Sequence, residues 1–288
     1  MSDPLIRDIS DTARWMAVYR ARETERSDAA FRDPFARTLA GERGEQIAKA
    51  ASFGEENAWS FVARTWLFDK FIAQAALAGV DLVVNLAAGL DTRPYRMTLP
   101  ASLRWVEVDL PEILDYKEQI LAKETPVCAL ERVRLDLSNA DARRGLFARL
   151  ARSASNALVL AEGLLVYLMR EDVAALASDL AAPDSFHHWV VDICSPGLLA
   201  MLRERMGKSL QEAGAPFLFA PPEGPRFFEP YGWKPVNVRS ILKTAAKLER
   251  LPLMLRMLAM LPESKGAQGQ RPWSGVCLLE RIQSPIQS

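Results

Sequence analysis

Four small or acidic residues follow short apolar runs in this sequence. They are Gly89, Asp109, Asp136 and Glu162. If the apolar runs are parallel strands of one α/β sheet, their carboxyl ends meet at one edge, which is the edge where ligands bind. The spacing therefore predicts a ligand site that one glycine and three carboxylates line together.

The first turn has the composition of a ligand-binding loop. Ala87, Ala88 and Gly89 have little or no side chain, so a ligand can approach the backbone closely, and Gly89 can adopt a positive φ. Asp109 lies 20 residues after Gly89, which is the length of one βαβ step. An acidic residue at that place can accept hydrogen bonds from both ribose hydroxyls of a nucleotide. NAD enzymes and class I S-adenosylmethionine (SAM) methyltransferases both use this arrangement.

The glycine pattern separates these two classes. An NAD(P)-dependent oxidoreductase is expected to carry GxGxxG after the first strand, because the following helix must approach closely to support the pyrophosphate. This turn contains one glycine, Gly89, followed by Leu90, Asp91 and Thr92. The pattern argues against an oxidoreductase.

Apolar periodicity predicts the elements that position these residues. Three helices, at 9–29, 35–52 and 57–77, precede the first strand. From residue 81 onward strands and helices alternate, which is typical of a doubly wound parallel sheet of the α/β class. The predicted strands are 82–86, 103–108, 129–134, 156–161, 187–193, 235–238 and 274–282, and the helices among them are 94–98, 111–123, 140–151, 170–181, 196–213, 238–248 and 251–261.

We expect a single domain over residues 1–288, because no Pro-, Gly- or Ser-rich linker divides the chain. Residues 1–80 are predicted to form a helical cap, residues 81–195 the ligand-binding core of the sheet, and residues 196–288 a lid and the C-terminal strands. Within this last part, residues 214–233 combine several prolines with many aromatic residues and have no periodicity. That composition predicts a covering loop that opens and closes, with aromatic side chains walling a pocket.

Composition excludes several kinds of partner. The 36 basic residues equal the 36 acidic ones, so no overall positive charge attracts nucleic acid. Three separated cysteines indicate reduced thiols, and no CxxC spacing or histidine-rich stretch indicates a metal site. No run approaches the roughly 18 apolar residues of a membrane span, and the stretch MSDPLIRDIS contains no apolar signal region. We therefore expect a cytoplasmic protein without a metal, a membrane or a nucleic acid as its partner.

Motifs distributed along the chain carry a resemblance to a known family. They are DTARWMAVYRARETE (11–25), FRDPFA (31–36), FVARTWLFD (61–69), NLAAGLDTRPYRM (85–97), VEVDLPEIL (106–114), RLDL (134–137), LAEGLLVYL (160–168) and YGW (231–233). On these motifs the sequence resembles the leucine carboxyl methyltransferase family, and within it the bacterial SAM-dependent branch. The family's first loop usually reads GAG, and Ala87 stands here in place of the first glycine. The resemblance implies a Rossmann-like class I methyltransferase sheet with SAM as the cofactor.

The resemblance also implies which residues hold the nucleoside of SAM. Gly89, in the same loop as Ala87, would pass beneath the methionine part of the cofactor. Asp109 would hold the ribose hydroxyls, and Asp136 with the backbone of Leu137 would contact the adenine.

Further residues would bind the amino-acid part of SAM. Glu162 would take the amino group in a charge-assisted contact, and the guanidinium groups of Arg64 and Arg14 would pair with the carboxylate. Tyr167 is the candidate catalytic residue, which would orient the acceptor or relay a proton.

The methyl acceptor is expected to be a small molecule or a peptide. A carboxylate acceptor, which the family name implies, is already ionised at pH 7 and needs no base, so positioning can carry most of the catalysis. A hydroxyl acceptor would need a base, for which His187 and His188 are weaker candidates than Tyr167. A SAM-binding protein without catalytic activity is the alternative function.

Overall fold

The computed structural model describes residues 9–212, 214–262 and 269–282. Seven strands form one sheet, in the order β3-β2-β1-β4-β5-β7-β6. The strands are β1 (Leu82–Leu86), β2 (Arg104–Asp109), β3 (Ala129–Arg134), β4 (Ala157–Ala161), β5 (Phe186–Cys194), β6 (Trp233–Ser240) and β7 (Ser274–Arg281). The helices are α1 (Ile9–Thr24), α2 (Ala36–Ala50), α3 (Ser52–Glu56), α4 (Ala58–Leu77), α5 (Arg93–Arg96), α6 (Pro111–Ile120), α7 (Ala140–Ala151), α8 (Arg170–Ala181), α9 (Pro196–Glu212), α10 (Ile241–Lys247) and α11 (Leu253–Ala259).

The two central strands are buried along their whole length. Every residue of β1 and of β4 is buried, because helices cover both faces of the sheet. Alternate side chains enter different layers: Leu82 and Val84 belong to one apolar cluster, and Val83 belongs to the other. Near-continuous apolar runs are typical of parallel strands buried in this way. The predicted boundaries of β1, β3, α7 and α8 are confirmed to the residue.

The N-terminal helices pack over the same sheet edge at which β1 ends. Helix α1 lies against α2 and α4, and the apolar cluster between them includes Trp15, Tyr19 and Leu39. Leu90, from the turn after β1, belongs to this cluster. The short helix α3 was not predicted, because five residues are too few to show a periodic pattern.

The predicted α/β class is confirmed, and the five strands from β1 to β5 form the predicted parallel sheet, which two further strands make mixed. Strands β1 to β5 are parallel to one another, whereas β7 lies antiparallel between β5 and β6. Helices α10 and α11 follow β6 at the ligand-binding edge, and the chain re-enters the sheet from that edge as β7. Ser240 at the end of β6 therefore lies opposite Gly275 at the start of β7.

The aromatic residues of segment 214–233 lie mostly in the core, which corrects the expectation that they wall a pocket. Phe227, Phe228 and Trp233 are 2%, 0% and 0% exposed. The indole N–H of Trp233 donates to the carbonyl oxygen of Ala177 in α8 at 2.9 Å. The 3₁₀ helix Gly224–Tyr231 is thus packed against the sheet, and only Phe217 and Phe219 of these aromatic residues line the cavity described below.

Ser195 caps α9, since its hydroxyl accepts a hydrogen bond from the N–H of Leu198 at 3.2 Å. Among the described residues, no helix has the length and apolar character needed to cross a membrane.

Candidate functional site

A cavity of about 1730 Å³ lies along the carboxyl ends of strands β1 to β5. Typical ligand pockets measure roughly 300–1,000 Å³, so this cavity can hold more than one small molecule. Of the nine residues predicted from the sequence, eight line it. They are Arg64, Ala87, Gly89, Asp109, Asp136, Leu137, Glu162 and Tyr167.

The loop after β1 has a left-handed backbone at two residues. Gly89 has φ 48°, and Ala87, which stands in place of the family's first glycine, has φ 50°. A left-handed conformation costs a residue with a side chain roughly 1–2 kcal/mol, so the loop holds Ala87 in a strained state. A Cβ atom on Gly89 would lie 3.4 Å from the Cβ of Ala13, because α1 passes close to the loop.

Asp109 supports this loop from the neighbouring strand. One carboxylate oxygen accepts a hydrogen bond from the N–H of Gly89 at 2.6 Å, and the other accepts from the N–H of Leu110 at 2.8 Å. Burial raises the pKa of Asp109 above its ordinary value, although these two hydrogen bonds oppose the shift. Each carboxylate oxygen has a further lone-pair direction, so Asp109 can still accept from ribose hydroxyls.

Glu162 lies between two arginines. Its Oε1 accepts from Nε of Arg64 at 3.1 Å, and its Oε2 pairs with Nη2 of Arg93 at 2.8 Å. Arg64 also pairs through Nη1 with Asp192 at 3.3 Å, and Asp192 accepts from the N–H of Gly163 at 2.6 Å. Two guanidinium groups and two carboxylates therefore share this part of the cavity.

The pKa values in this cluster follow from burial and charge. Burial alone would lower the pKa of Arg64, but the carboxylates of Asp192 and Glu162 outweigh burial and raise it. Burial also raises the pKa of Asp192, against the opposing effect of Arg64. The arginine therefore stays charged, and the cluster is close to electrically neutral.

Arg93 connects the cluster to the scaffold. Its side chain is 4% exposed and also pairs with Asp69 at 2.6 Å and with Asp91 at 2.7 Å. Burial opposes ionisation of Asp91, yet Arg93 and neighbouring cations hold the pKa of that carboxyl well below its usual range. Arg96 closes the network through two hydrogen bonds of 2.8 Å to Asp69.

Arg20 connects helix α1 to the loop that follows β1. Its Nη2 donates to the carbonyl oxygen of Leu90 at 2.6 Å, and its Nε pairs with Asp33 at 2.8 Å. Arg20 lines the cavity, so the helical cap is a wall of the site.

Arg14 is the one predicted cofactor-binding residue that does not line the cavity. Its guanidinium carbon lies 3.6 Å from the centre of the Tyr116 ring, in a cation–π contact with α6. Arg64 and Arg14 therefore have different roles: Arg64 reaches Glu162 inside the cavity, whereas Arg14 joins two helices outside it.

Asp136 and Leu137 form the outer end of the cavity after β3. Asp136 is exposed and accepts from the N–H of Ser138 at 2.8 Å, which shapes the turn. The carbonyl oxygen of Leu137 accepts from Arg143 at 2.7 Å. Both residues line the cavity at this end.

Tyr167 lies in the short 3₁₀ helix Leu165–Tyr167, which follows β4. Its side chain is close to that of Arg64 in α4. Its hydroxyl is hydrogen-bonded with the side chain of Thr12, and its ring lies 5.5 Å from that of Phe217. Burial raises its pKa, although Arg64 opposes the shift, so the phenol keeps its proton at neutral pH. Tyr167 can thus orient an acceptor but is a poor base.

Several residues of the site were missed from the sequence. Asp192 lies within β5, two residues before the strand ends at Cys194, so the rule that placed carboxylates directly after apolar runs did not select it. Asp91 and Arg93 belong to the AGLDTR motif and pair with each other, but the pairing of Arg93 with the distant Asp69 is visible only in three dimensions.

The two histidines lie away from the cavity. His187 and His188 are in the first half of β5, where His188 lies beside Leu158, far from the end that carries Asp192. Neither histidine lines the cavity. The three cysteines are buried and free, and no group of His, Cys, Asp or Glu within the described part of the chain is arranged to hold a metal ion.

Comparison of solved structures identifies the fold. A protein of the DUF574 family from Streptomyces avermitilis superposes with a TM-score of 0.61 over 92% of this chain and 96% of its own, at 17% identity. A protein from Thermobifida fusca, described as a methyltransferase only provisionally, gives a TM-score of 0.60 over 97% of this chain and 96% of its own, at 14% identity.

Sequence comparison identifies the family. A protein of Frankia alni, provisionally named as a SAM-dependent methyltransferase, is 38% identical over 188 residues, which are 60% of this chain and 65% of the relative. A Streptomyces coelicolor protein with the same provisional name is 35% identical over 57% of this chain and 62% of its own. The chain thus spans less than two thirds of the length of these relatives. The profile of the leucine carboxyl methyltransferase family matches residues 13–181, and the chain belongs to that family.

Proposed function

We propose that the protein binds SAM and transfers its methyl group to an oxygen of an acceptor. The main support is the order of side chains along one sheet edge. Asp136, Asp109, Gly89 and Glu162 follow four adjacent strands and line one cavity. Neighbouring strands are about 4.8 Å apart, so the four positions span roughly 14 Å. An extended adenosyl amino acid matches that sequence of groups from adenine to ammonium.

The nucleoside would lie across β3, β2 and β1. Asp109 is fixed by two backbone N–H groups and has remaining acceptor capacity for the ribose hydroxyls. The left-handed backbone at Ala87 and Gly89 turns the loop beneath the ligand. Asp136 and Leu137 would contact the adenine at the exposed end.

The amino-acid part would enter the cluster of Arg64, Arg93, Glu162 and Asp192. The ammonium group would pair with Glu162 and the carboxylate with Arg64, partly replacing the existing contact between those two side chains. Because the ammonium and carboxylate together carry no net charge, binding preserves the charge balance of the cluster. A dinucleotide has no such pair of groups.

Catalysis would depend on positioning. Bound SAM would supply the methyl group: the acceptor oxygen would form a bond to the sulfonium methyl, the S–CH₃ bond would break, and its electron pair would stay on sulfur. Tyr167 keeps its proton and would orient the acceptor by donating a hydrogen bond. A carboxylate acceptor needs no base, which matches a site whose buried phenol is protonated. Our proposal is therefore O-methylation, with a carboxylate as the first choice.

The test is thermal unfolding with SAM, with S-adenosylhomocysteine (SAH), and with NAD or NADP. A ligand at about 100 times its Kd stabilises the native state by roughly 2.7 kcal/mol. Each 1 kcal/mol raises the midpoint of such a chain by about 2–4 °C, so we expect a shift of about 5–10 °C with the adenosyl ligands. A shift with NAD and none with SAM or SAH would refute the proposal. Mass detection of methyl transfer to an acceptor collection then separates an enzyme from a silent SAM-binding protein.

A further inference from the structure

The cavity extends beyond the part that a SAM molecule would fill. In the sheet order, β5, β7 and β6 follow β4 on the side away from the predicted adenine position. Cys194 at the end of β5 lies opposite Ser274 at the start of β7, and Ser240 ends β6 at the same edge. The two strand spacings from β5 to β6 span roughly 10 Å along this edge. All three of these residues line the cavity.

Apolar side chains dominate the walls of this second part. Helix α9 begins directly after β5, and α11 follows β6, so both helices stand over the ends of these strands. We name this part the acceptor chamber, defined by Leu198, Met201, Leu202, Phe219, Leu255 and Trp273. The side chains of Leu198, Met201 and Leu202 are half-buried, so each retains surface that a ligand can cover.

Among the described residues, few charged groups line the cavity around the acceptor chamber. Asp192 lies at its inner end and is paired with Arg64. The cations Arg205, Lys243 and Arg271 line the cavity beyond it, and Arg205 pairs with Glu56 at 3.5 Å. The reacting oxygen of an acceptor must lie near the amino-acid end of SAM, which is the β4 side. Its remaining atoms must then extend into the acceptor chamber.

We infer that the acceptor is amphipathic, with a polar group to be methylated at one end and an extended apolar portion of roughly 10 Å that lies in the acceptor chamber. This inference rests on the proposed function, since the position of SAM determines which end of the cavity is left for the acceptor. Burying apolar surface drives the binding of such a molecule. The flexible side chain of Met201 in α9 would adapt to the shape of the bound molecule.

The test measures the affinity of straight-chain monocarboxylates in the presence of saturating SAH. Butanoate, octanoate and dodecanoate are titrated by calorimetry below their micelle concentrations, with the matching primary alcohols as a second series. Each buried methylene contributes about 0.8 kcal/mol, which is about a fourfold change in Kd. We expect octanoate to bind on the order of 100-fold more tightly than butanoate. Equal affinity along both series would overturn the inference.

Two matched variants locate the apolar portion. Met201→Gln changes a side chain that lines the acceptor chamber, and Met254→Gln makes the same change at a side chain of α11 that is 86% exposed. We expect Met201→Gln to weaken dodecanoate binding by about five- to tenfold while leaving the Kd of SAH unchanged. Met254→Gln should change neither affinity. Equal effects of the two variants would contradict the location.

A third variant, Leu258→Gln, tests the same location in case Met201→Gln does not fold. Leu258 lines the cavity from α11 and is 52% exposed, so Leu258→Gln is expected to fold normally. It should weaken dodecanoate binding at least twofold without changing butanoate binding. Failure of SAH itself to bind would refute the proposed function. Normal SAH binding without a dependence on chain length would refute only the amphipathic acceptor.

Discussion

The carboxylate of Asp109 holds the N–H of Gly89 at 2.6 Å, across the boundary between two parallel strands. The residue predicted to bind the ribose therefore also fixes the loop on which the methionine part would lie. Its other oxygen holds the N–H of Leu110 at 2.8 Å. One substitution at this position should disturb both contacts of the ligand.

Asp109→Ala is expected to weaken SAH binding by about 1.5–3 kcal/mol, because charged hydrogen bonds are lost. Asp109→Asn should lose less, since the amide oxygen still accepts. Calorimetric titration measures both affinities. Asp141→Ala, at a side chain that is 93% exposed, is the control and should bind SAH normally. Unchanged affinity in Asp109→Ala would remove this residue from the site.

The affinity for SAH should depend on pH through Asp109. The ionised carboxylate accepts hydrogen bonds from the ribose, and burial raises its pKa above the ordinary 3.8. Affinity is therefore full above the raised pKa and falls as the pH decreases through it. Titrations at a series of pH values should show this step at a pH above 3.8. Asp109→Asn cannot ionise, so the persistence of the same step in that variant would assign it to another group.

Arg64 and Arg14 should differ in their effect on SAH. Arg64 lies within the cavity against Glu162, whereas Arg14 stacks on Tyr116. Arg64→Met is expected to weaken SAH binding by at least 1.5 kcal/mol, in line with the loss of a charged hydrogen bond, and Arg14→Met to leave it unchanged. The measurement is calorimetry on variants whose circular dichroism matches that of the parent. A larger loss of SAH affinity in Arg14→Met than in Arg64→Met would support the sequence-based prediction that Arg14 binds the carboxylate of the ligand.

Removal of Arg93 should affect stability strongly. Its side chain is almost fully buried and pairs with Asp69, Asp91 and Glu162, so Arg93→Met leaves three carboxylates without this partner. Breaking a buried pair by removing one partner typically costs about 3–5 kcal/mol. The exposed pair of Arg170 and Glu223 is the control, and Arg170→Met should cost at most about 1 kcal/mol. Urea unfolding compares the two, and similar losses would show that the Arg93 network contributes little.

Replacing Ala87 or the adjacent Ala88 with glycine should change the free energy of unfolding by different amounts. Ala87 has a positive φ, so Ala87→Gly relieves strain, whereas Ala88 has a negative φ and is 6% exposed. Ala88→Gly adds entropy to the unfolded chain and removes a buried methyl group. We expect Ala87→Gly to be more stable than Ala88→Gly by about 1–2 kcal/mol in urea unfolding. Equal stability would mean that the left-handed conformation of Ala87 carries no strain.

The positions of the strands, and the edge of the sheet along which the cavity lies, were predictable from the sequence. Apolar runs such as Leu82–Leu86 are long enough to identify buried strands, and the residues after them necessarily lie at one edge when the strands are parallel. Asp109 and Glu162 were therefore located without knowledge of any contact. This information is local, since it depends on residues next to each other in the chain.

Contacts between distant segments were decided only by the tertiary structure. Arg14 and Arg64 both lie on helices of the cap, and only the packing of those helices sends one to Tyr116 and the other to Glu162. The same holds for β7, whose antiparallel place between β5 and β6 depends on where the chain re-enters the sheet. Phe228 is buried in the core because the 3₁₀ helix Gly224–Tyr231 packs against the sheet. A helix or loop sequence shows which side chains are apolar or charged, but the surface that each one meets is set by residues far away in the chain.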